Sequence, residues 1–141
     1  MENSAAVLTR PLTIPVFASY VEAGFPSPTD DYIESSFDLE RDLIRHPSAT
    51  FMFKVKGDSM SPYIQPGDSL IVDRSVTARH DDVVVASLNG DFTVKKLFHR
   101  GGMVSLVPMN SEYPSIDVMV GFDFRVWGVV TAIIRKTCTH S

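Results

Sequence analysis

The dipeptide Asn89-Gly90 constrains this chain more than any other feature. A two-residue type I′ hairpin needs positive φ at both central positions, and Asn followed by Gly meets that need at least cost. The flanking runs, Asp82–Leu88 and Phe92–Leu97, are rich in β-branched and apolar residues, so they read as two antiparallel strands. The same grammar recurs along the chain. In Thr50–Lys56, Phe51, Phe53 and Val55 alternate with Met52, Lys54 and Lys56, the pattern of a half-buried strand. Pro66-Gly67-Asp68 reads as a turn into a strand at Leu70–Asp73, and Met103–Val107 and Val126–Arg135 complete the set. Gly128 inside the last strand predicts a bulge or a close backbone approach. Phe51, Phe53, Met60, Val94 and Trp127 read as core. The expectation is a mostly-β domain of short twisted strands.

Residues 1–36 obey a different rule. Pro11, Pro15, Pro26 and Pro28, with Gly24 between, remove amide donors and fix φ, so neither a central strand nor a long helix fits. This stretch reads as an extended N-terminal arm, in which Ile14–Phe17 could still lie on a sheet edge. Asp38 is the N-cap candidate for a short helix with Leu39, Leu43 and Ile44 on one face, stopped by Pro47. The domain proper is expected over residues 37–141.

Charge and composition exclude several classes. Seventeen acids against thirteen bases leave a net charge of −4, which gives no case for nonspecific docking on duplex DNA, and no direct sequence-specific DNA binding is expected. The acidity sits in the arm: residues 1–40 carry seven acids and one base. Cys138 is alone, so no internal disulfide or cysteine metal site is expected, and neither metal nor cofactor is called for. No apolar run approaches the roughly 18–20 residues of a membrane span. The first residues lack a basic and then apolar leader pattern, so the expected location is the cytoplasm.

The chemistry-bearing candidate is Lys56-Gly57-Asp58-Ser59-Met60-Ser61-Pro62. A serine just past a strand and beside a glycine is lifted out of the pleat, where neighbouring backbone N–H groups can face a developing oxyanion. Its hydroxyl needs a base. His46, His80, His99 and His140 carry no distinguishing context and read as surface or loop residues. Lysine can serve if burial lowers its pKa by about 3 units, a differential of about 4 kcal/mol. The hairpin strand offers Lys95, on the face of Thr93 and Leu97, and Lys96, on the face of Phe92 and Val94; periodicity does not choose between them. Ser61 is the rival nucleophile, Asp58 reads as a turn cap, and Asn110 and Ser111 read as loop structure. Gly67-Asp68-Ser69-Leu70 superficially matches a lipolytic hydrolase block, but the Asp-x-x-His partner of such enzymes occurs nowhere in the chain.

Several segments together carry a family resemblance. Ala23-Gly24-Phe25-Pro26-Ser27-Pro28, His46-Pro47-Ser48-Ala49-Thr50, Gly57-Asp58-Ser59-Met60, Gly67-Asp68, Phe92-Thr93-Val94-Lys95-Lys96-Leu97 and Pro108-Met109-Asn110-Ser111 resemble the UmuD family, in this order from about residue 14 to residue 130. Those proteins are self-cleaving accessory subunits of a translesion polymerase in the SOS response, related to the peptidase half of LexA-type repressors. The resemblance implies a LexA- and signal-peptidase-like β fold, a Ser59 nucleophile, a Lys95 base and an oxyanion site made by the backbone of Asp58 and Ser59. It places self-cleavage at Ala23–Gly24. It also implies a homodimer, a UmuC-type Y-family polymerase subunit as partner, and promotion of cutting by a RecA nucleoprotein filament. Three alternatives stay open beside it. Ser59-Met60-Ser61-Pro62 also fits the signal-peptidase nucleophile segment, though those enzymes need a membrane anchor. A repressor would need a helix-turn-helix domain before Gly24, for which 23 residues are too few. A non-catalytic homodimeric interaction module is the third.

Overall fold

A computed structural model of the chain describes residues 12–17 and 33–140. They fall in two compact units, Met1–Arg45 and His46–Ser141.

In the first unit, β1 (Thr13–Phe17) pairs antiparallel with β2 (Ile33–Asp38) in a two-stranded ribbon. Pro15 is tolerated opposite Ser36 because each strand of a two-stranded ribbon has an open edge that asks for no donor. The chain turns directly from β2 into the short helix α1 (Leu39–Leu43). Asp38 caps it as expected: its carboxylate accepts the Arg41 N–H at 3.0 Å, and Asp42 accepts the Asp38 N–H at 2.8 Å.

The second unit is built on a seven-stranded antiparallel sheet, order β3-β4-β9-β5-β6-β7-β8. The strands are β3 (Thr50–Lys54), β4 (Ser69–Asp73), β5 (Val83–Leu88), β6 (Asp91–Arg100), β7 (Met103–Val107), β8 (Ile116–Asp117) and β9 (Phe124–Ile134). β8, only two residues long, escaped the sequence reading. The expected hairpin closes β5 onto β6, with φ of 50° at Asn89 and 92° at Gly90. Pro66-Gly67 forms the other expected turn: Asp68 N–H donates to Gln65 O at 3.0 Å, and Gly67 supplies a φ of 92°.

β4 and β5 lie inside the sheet and are apolar on both faces. Leu70, Val72 and Val85 enter one core cluster with Met60 and Ile64, while Val84 and Ala86 enter a second with Leu97 and Leu106. Phe51 departs from its expected core role. It sits on edge strand β3, 46% exposed, with its ring edge-on to Trp127 at 5.3 Å. Asp68, 2% exposed, is held by a two-pronged Arg135 pair at 2.6 Å per bond, which keeps its carboxyl at about 2.

Both readings of Gly128 hold. Val85 pairs with Gly128 and Ala86 with Val126, so Trp127 is the extra residue of a bulge. A Cβ on Gly128 would lie 2.6 Å from Val72 Cγ1 and 3.3 Å from Asp73 O. Val72 is fully buried and β-branched, so it has little room to yield. Gly128→Ala is therefore expected to cost roughly 1–3 kcal/mol, read as a lowered denaturant midpoint at unchanged slope.

Candidate active site

After β3 the chain keeps one more pair of backbone contacts, Val55 N–H to Asp68 O at 2.8 Å and Gly67 N–H to Val55 O at 2.9 Å. Gly57 then breaks the extended run with a φ of 87°, a conformation that side-chain-bearing residues rarely adopt. From Asp58 to Ile64 the backbone winds through turns, with Ser61 N–H on Asp58 O at 3.0 Å and Ile64 N–H on Met60 O at 2.9 Å. Met60 and Ile64, at 3% and 0% exposure, pin this segment into the core. Apolar burial thus anchors the residue after Ser59 and leaves Ser59 itself on the wall of a cleft of about 280 Å³. Ser61 Oγ turns back on its own loop toward Ile64 O, 3.4 Å away.

Lys95 reaches the same cleft from β6 and is 9% exposed. Its Nζ lies 3.0 Å from Ser59 Oγ, 2.6 Å from Thr93 Oγ1 and 3.2 Å from Val94 O. Burial lowers its pKa, because the low-polarity surroundings penalise the ammonium. The three partners matter for protonation. An ammonium donates to all three; a neutral amine has two hydrogens and one lone pair. Thr93 Oγ1 and Val94 O can take the two hydrogens, which leaves the lone pair for the Ser59 hydroxyl. Lys96, on the opposite face, lies 3.4 Å from Asp81 Oδ1 instead.

The cleft wall is apolar around this pair, with Phe53, Val55, Phe92 and Val94 among its lining. Among the described residues, neither the Asp58 nor the Ser59 N–H donates to a protein acceptor.

The histidines lie elsewhere. The Ser75 hydroxyl and His46, whose Nδ1 lies 2.6 Å from Asp73 Oδ2, hold the Asp73 carboxyl at about 2. His80 stacks edge-on against Phe98 and accepts the His99 N–H at 3.0 Å. His140 lies beside Cys138. Ser69 begins β4 opposite Lys54. The Asp58 carboxylate, read as a turn cap, instead accepts the Tyr113 hydroxyl. Ala23 and Gly24 lie outside the described residues.

Three residues at the site went unassigned in the sequence reading. Thr93 had a legible signal, since it sits two positions before Lys95 on the same strand face. Asn110 stood in the Pro108-Met109-Asn110-Ser111 segment of the family resemblance but was read as loop structure, and Tyr113 carried no signal; they reach Asp58 across 52 and 55 residues of chain.

Comparison with known proteins gives a coherent set. Residues 15–131 match the family described as Peptidase S24-like. The protein MucA of Escherichia coli is 41% identical over 132 residues, 92% of this chain and 88% of MucA. The protein SamA of Salmonella typhimurium strain LT2 is 40% identical over 126 residues, 89% of this chain and 87% of SamA. The LexA repressor of Paracidovorax citrulli is 34% identical over 118 residues, 83% of this chain and 52% of the repressor.

Proposed function

Because the chain belongs to the peptidase S24-like family, alongside MucA, SamA and the other UmuD-type proteins, we propose that it severs its own Ala23–Gly24 bond, with Ser59 as nucleophile and Lys95 as general base. The observation that carries this reading is the 3.0 Å approach of a buried lysine amine to a cleft serine hydroxyl.

Neutral Lys95 takes the Ser59 proton as Oγ attacks the Ala23 carbonyl carbon. The carbonyl oxygen becomes an oxyanion, received by the Asp58 and Ser59 N–H groups. The protonated Lys95 gives its proton to the Gly24 nitrogen, the C–N bond breaks, and the arm is left as an acyl ester on Ser59. Lys95 then deprotonates water, which releases the Ala23 carboxylate and restores the serine. Tethering raises the effective concentration of the scissile bond, provided that the arm adopts a near-attack pose. Ala23 and Gly24 are small enough for a tight cleft. Lys54 and Lys56 on its lining carry charge opposite to the acidic first forty residues.

Cleavage leaves residues 24–141 as the working form, a cytoplasmic homodimer that serves as accessory subunit to a UmuC-type Y-family polymerase during SOS mutagenesis. A RecA nucleoprotein filament promotes the cut by favouring the docked arm. The test is incubation of the full chain at alkaline pH with intact-mass analysis. The expected product begins at Gly24, and a product with any other N-terminus, or none at all, would overturn the reading.

A further inference from the structure

The segment Pro108-Met109-Asn110-Ser111 read as ordinary loop, yet its Asn110 makes contacts that a loop residue does not need. Its backbone N–H donates to Ser59 O at 3.0 Å. Its side-chain Nδ2 donates to Asp58 O, also at 3.0 Å. Its Oδ1 accepts the Glu112 N–H at 3.0 Å, which fixes which end of the amide faces Asp58. Tyr113 N–H returns to Asn110 O at 3.1 Å, and the Tyr113 hydroxyl donates to the Asp58 carboxylate.

We propose that Asn110 is a positioning residue for Ser59: it holds the peptide planes on both sides of the nucleophile and thereby sets the directions of the Ser59 Oγ and N–H. The inference rests on the catalytic role given to Ser59 above. Its physical basis is peptide planarity. The Asp58 carbonyl and the Ser59 N–H belong to one planar unit and point opposite ways. Holding the carbonyl on Asn110 Nδ2 therefore aims the Ser59 N–H away from the 110–113 loop. The Ser59 carbonyl, held by the Asn110 N–H, fixes the next plane. With both planes fixed, the Cα–Cβ direction of Ser59 is fixed too, and so is the arc on which Oγ can meet Lys95 Nζ. Burial of Met60 and Ile64 anchors the chain beyond Ser59 and Ser61 N–H shares the Asp58 carbonyl at 3.0 Å; Asn110 adds the hold that comes from outside this segment.

The arrangement allows a substitution that separates aiming from mere loop structure. In Asn110→Asp one carboxylate oxygen still accepts the Glu112 N–H, so the local turn survives. The other oxygen cannot donate to Asp58 O and repels it. If Asn110 only shapes its loop, the variant behaves like the parent. If it aims Ser59, the reaction slows about 10²-fold, the scale set by sub-ångström to ångström misplacement of a reacting group. Tyr113→Phe removes the brace on the Asp58 carboxylate and gives a smaller loss, with the same fold.

Two readouts are used on the full chain: self-conversion at alkaline pH, and covalent labelling of Ser59 by a small phosphonofluoridate. In labelling, Oγ bonds to phosphorus and fluoride leaves, with no need for the arm. The expected result is slowing of both reactions in Asn110→Asp, with thermal midpoint and far-ultraviolet dichroism close to the parent. Equal labelling rates in parent and Asn110→Asp would overturn the inference while leaving self-cleavage standing. A parent that labels but never converts would overturn self-cleavage while leaving the Asn110 test intact. A parent that does neither overturns both.

Discussion

Ser59→Ala is expected to leave the full chain uncut under conditions that convert the parent completely. Loss of a nucleophilic serine removes the covalent route altogether, and the expected fall is at least about 10⁴-fold. The substitution removes one hydroxyl from a segment held by Met60 and Ile64, so thermal stability stays near that of the parent. Ser61→Ala is the matched comparison. Its hydroxyl faces Ile64 O, within its own turn, and conversion continues. Intact-mass spectra over time decide the matter. Product beginning at Gly24 from Ser59→Ala would exclude Ser59 as the nucleophile.

Lys95→Met keeps the length and apolar bulk of the side chain and removes the amine. Conversion should fall at least about 10³-fold, as expected for loss of a general base in direct contact with its nucleophile. Lys95→Arg should be equally inactive, because a guanidinium does not give up its proton at accessible pH. In the parent, the rate should climb tenfold per pH unit and level off where Lys95 has lost its proton. Burial sets that point below the ordinary lysine value of 10.5. A plateau already reached near pH 7 and retained in Lys95→Met would point to histidine.

Stability should follow the same proton. The folded chain releases the Lys95 proton more readily than the unfolded chain does. Between the lowered native value and the ordinary one, the unfolded state binds more protons, so stability rises with pH. Below that window the cost of the buried ammonium is fully present. Lys95→Met abolishes this rise, and thermal midpoints measured across alkaline pH should show a flatter profile than the parent.

Much of the fold was legible because its signals are local. Asn89-Gly90 and Pro66-Gly67 specify turns through φ alone, and Asp38 caps α1 within one turn of helix. Gly128 was legible as an anomaly, though what it makes room for, Val72, lies 56 positions earlier in the chain and could not be read. Phe51 misled because alternation separates the two faces of a strand without saying how well each is covered, and β3 is an edge. The choice between Lys95 and Lys96 failed for the same reason. Periodicity put them on opposite faces, but only the approach of a segment 36 residues away decides which face closes over a lysine. Resemblance to a family supplied Lys95; the placement of Thr93, Val94 O and Ser59 around its amine gives that choice a physical ground.

The trio of acceptors around the Lys95 nitrogen has one more consequence. A protonated lysine finds an acceptor there for each of its hydrogens, while burial still penalises its charge, so the dormant form of the pair is well bonded but not free of cost. In the proposed reaction a single proton on Lys95 would keep the scissors locked, and the share of time it is absent would set the tempo of self-processing, slower the more acidic the surroundings.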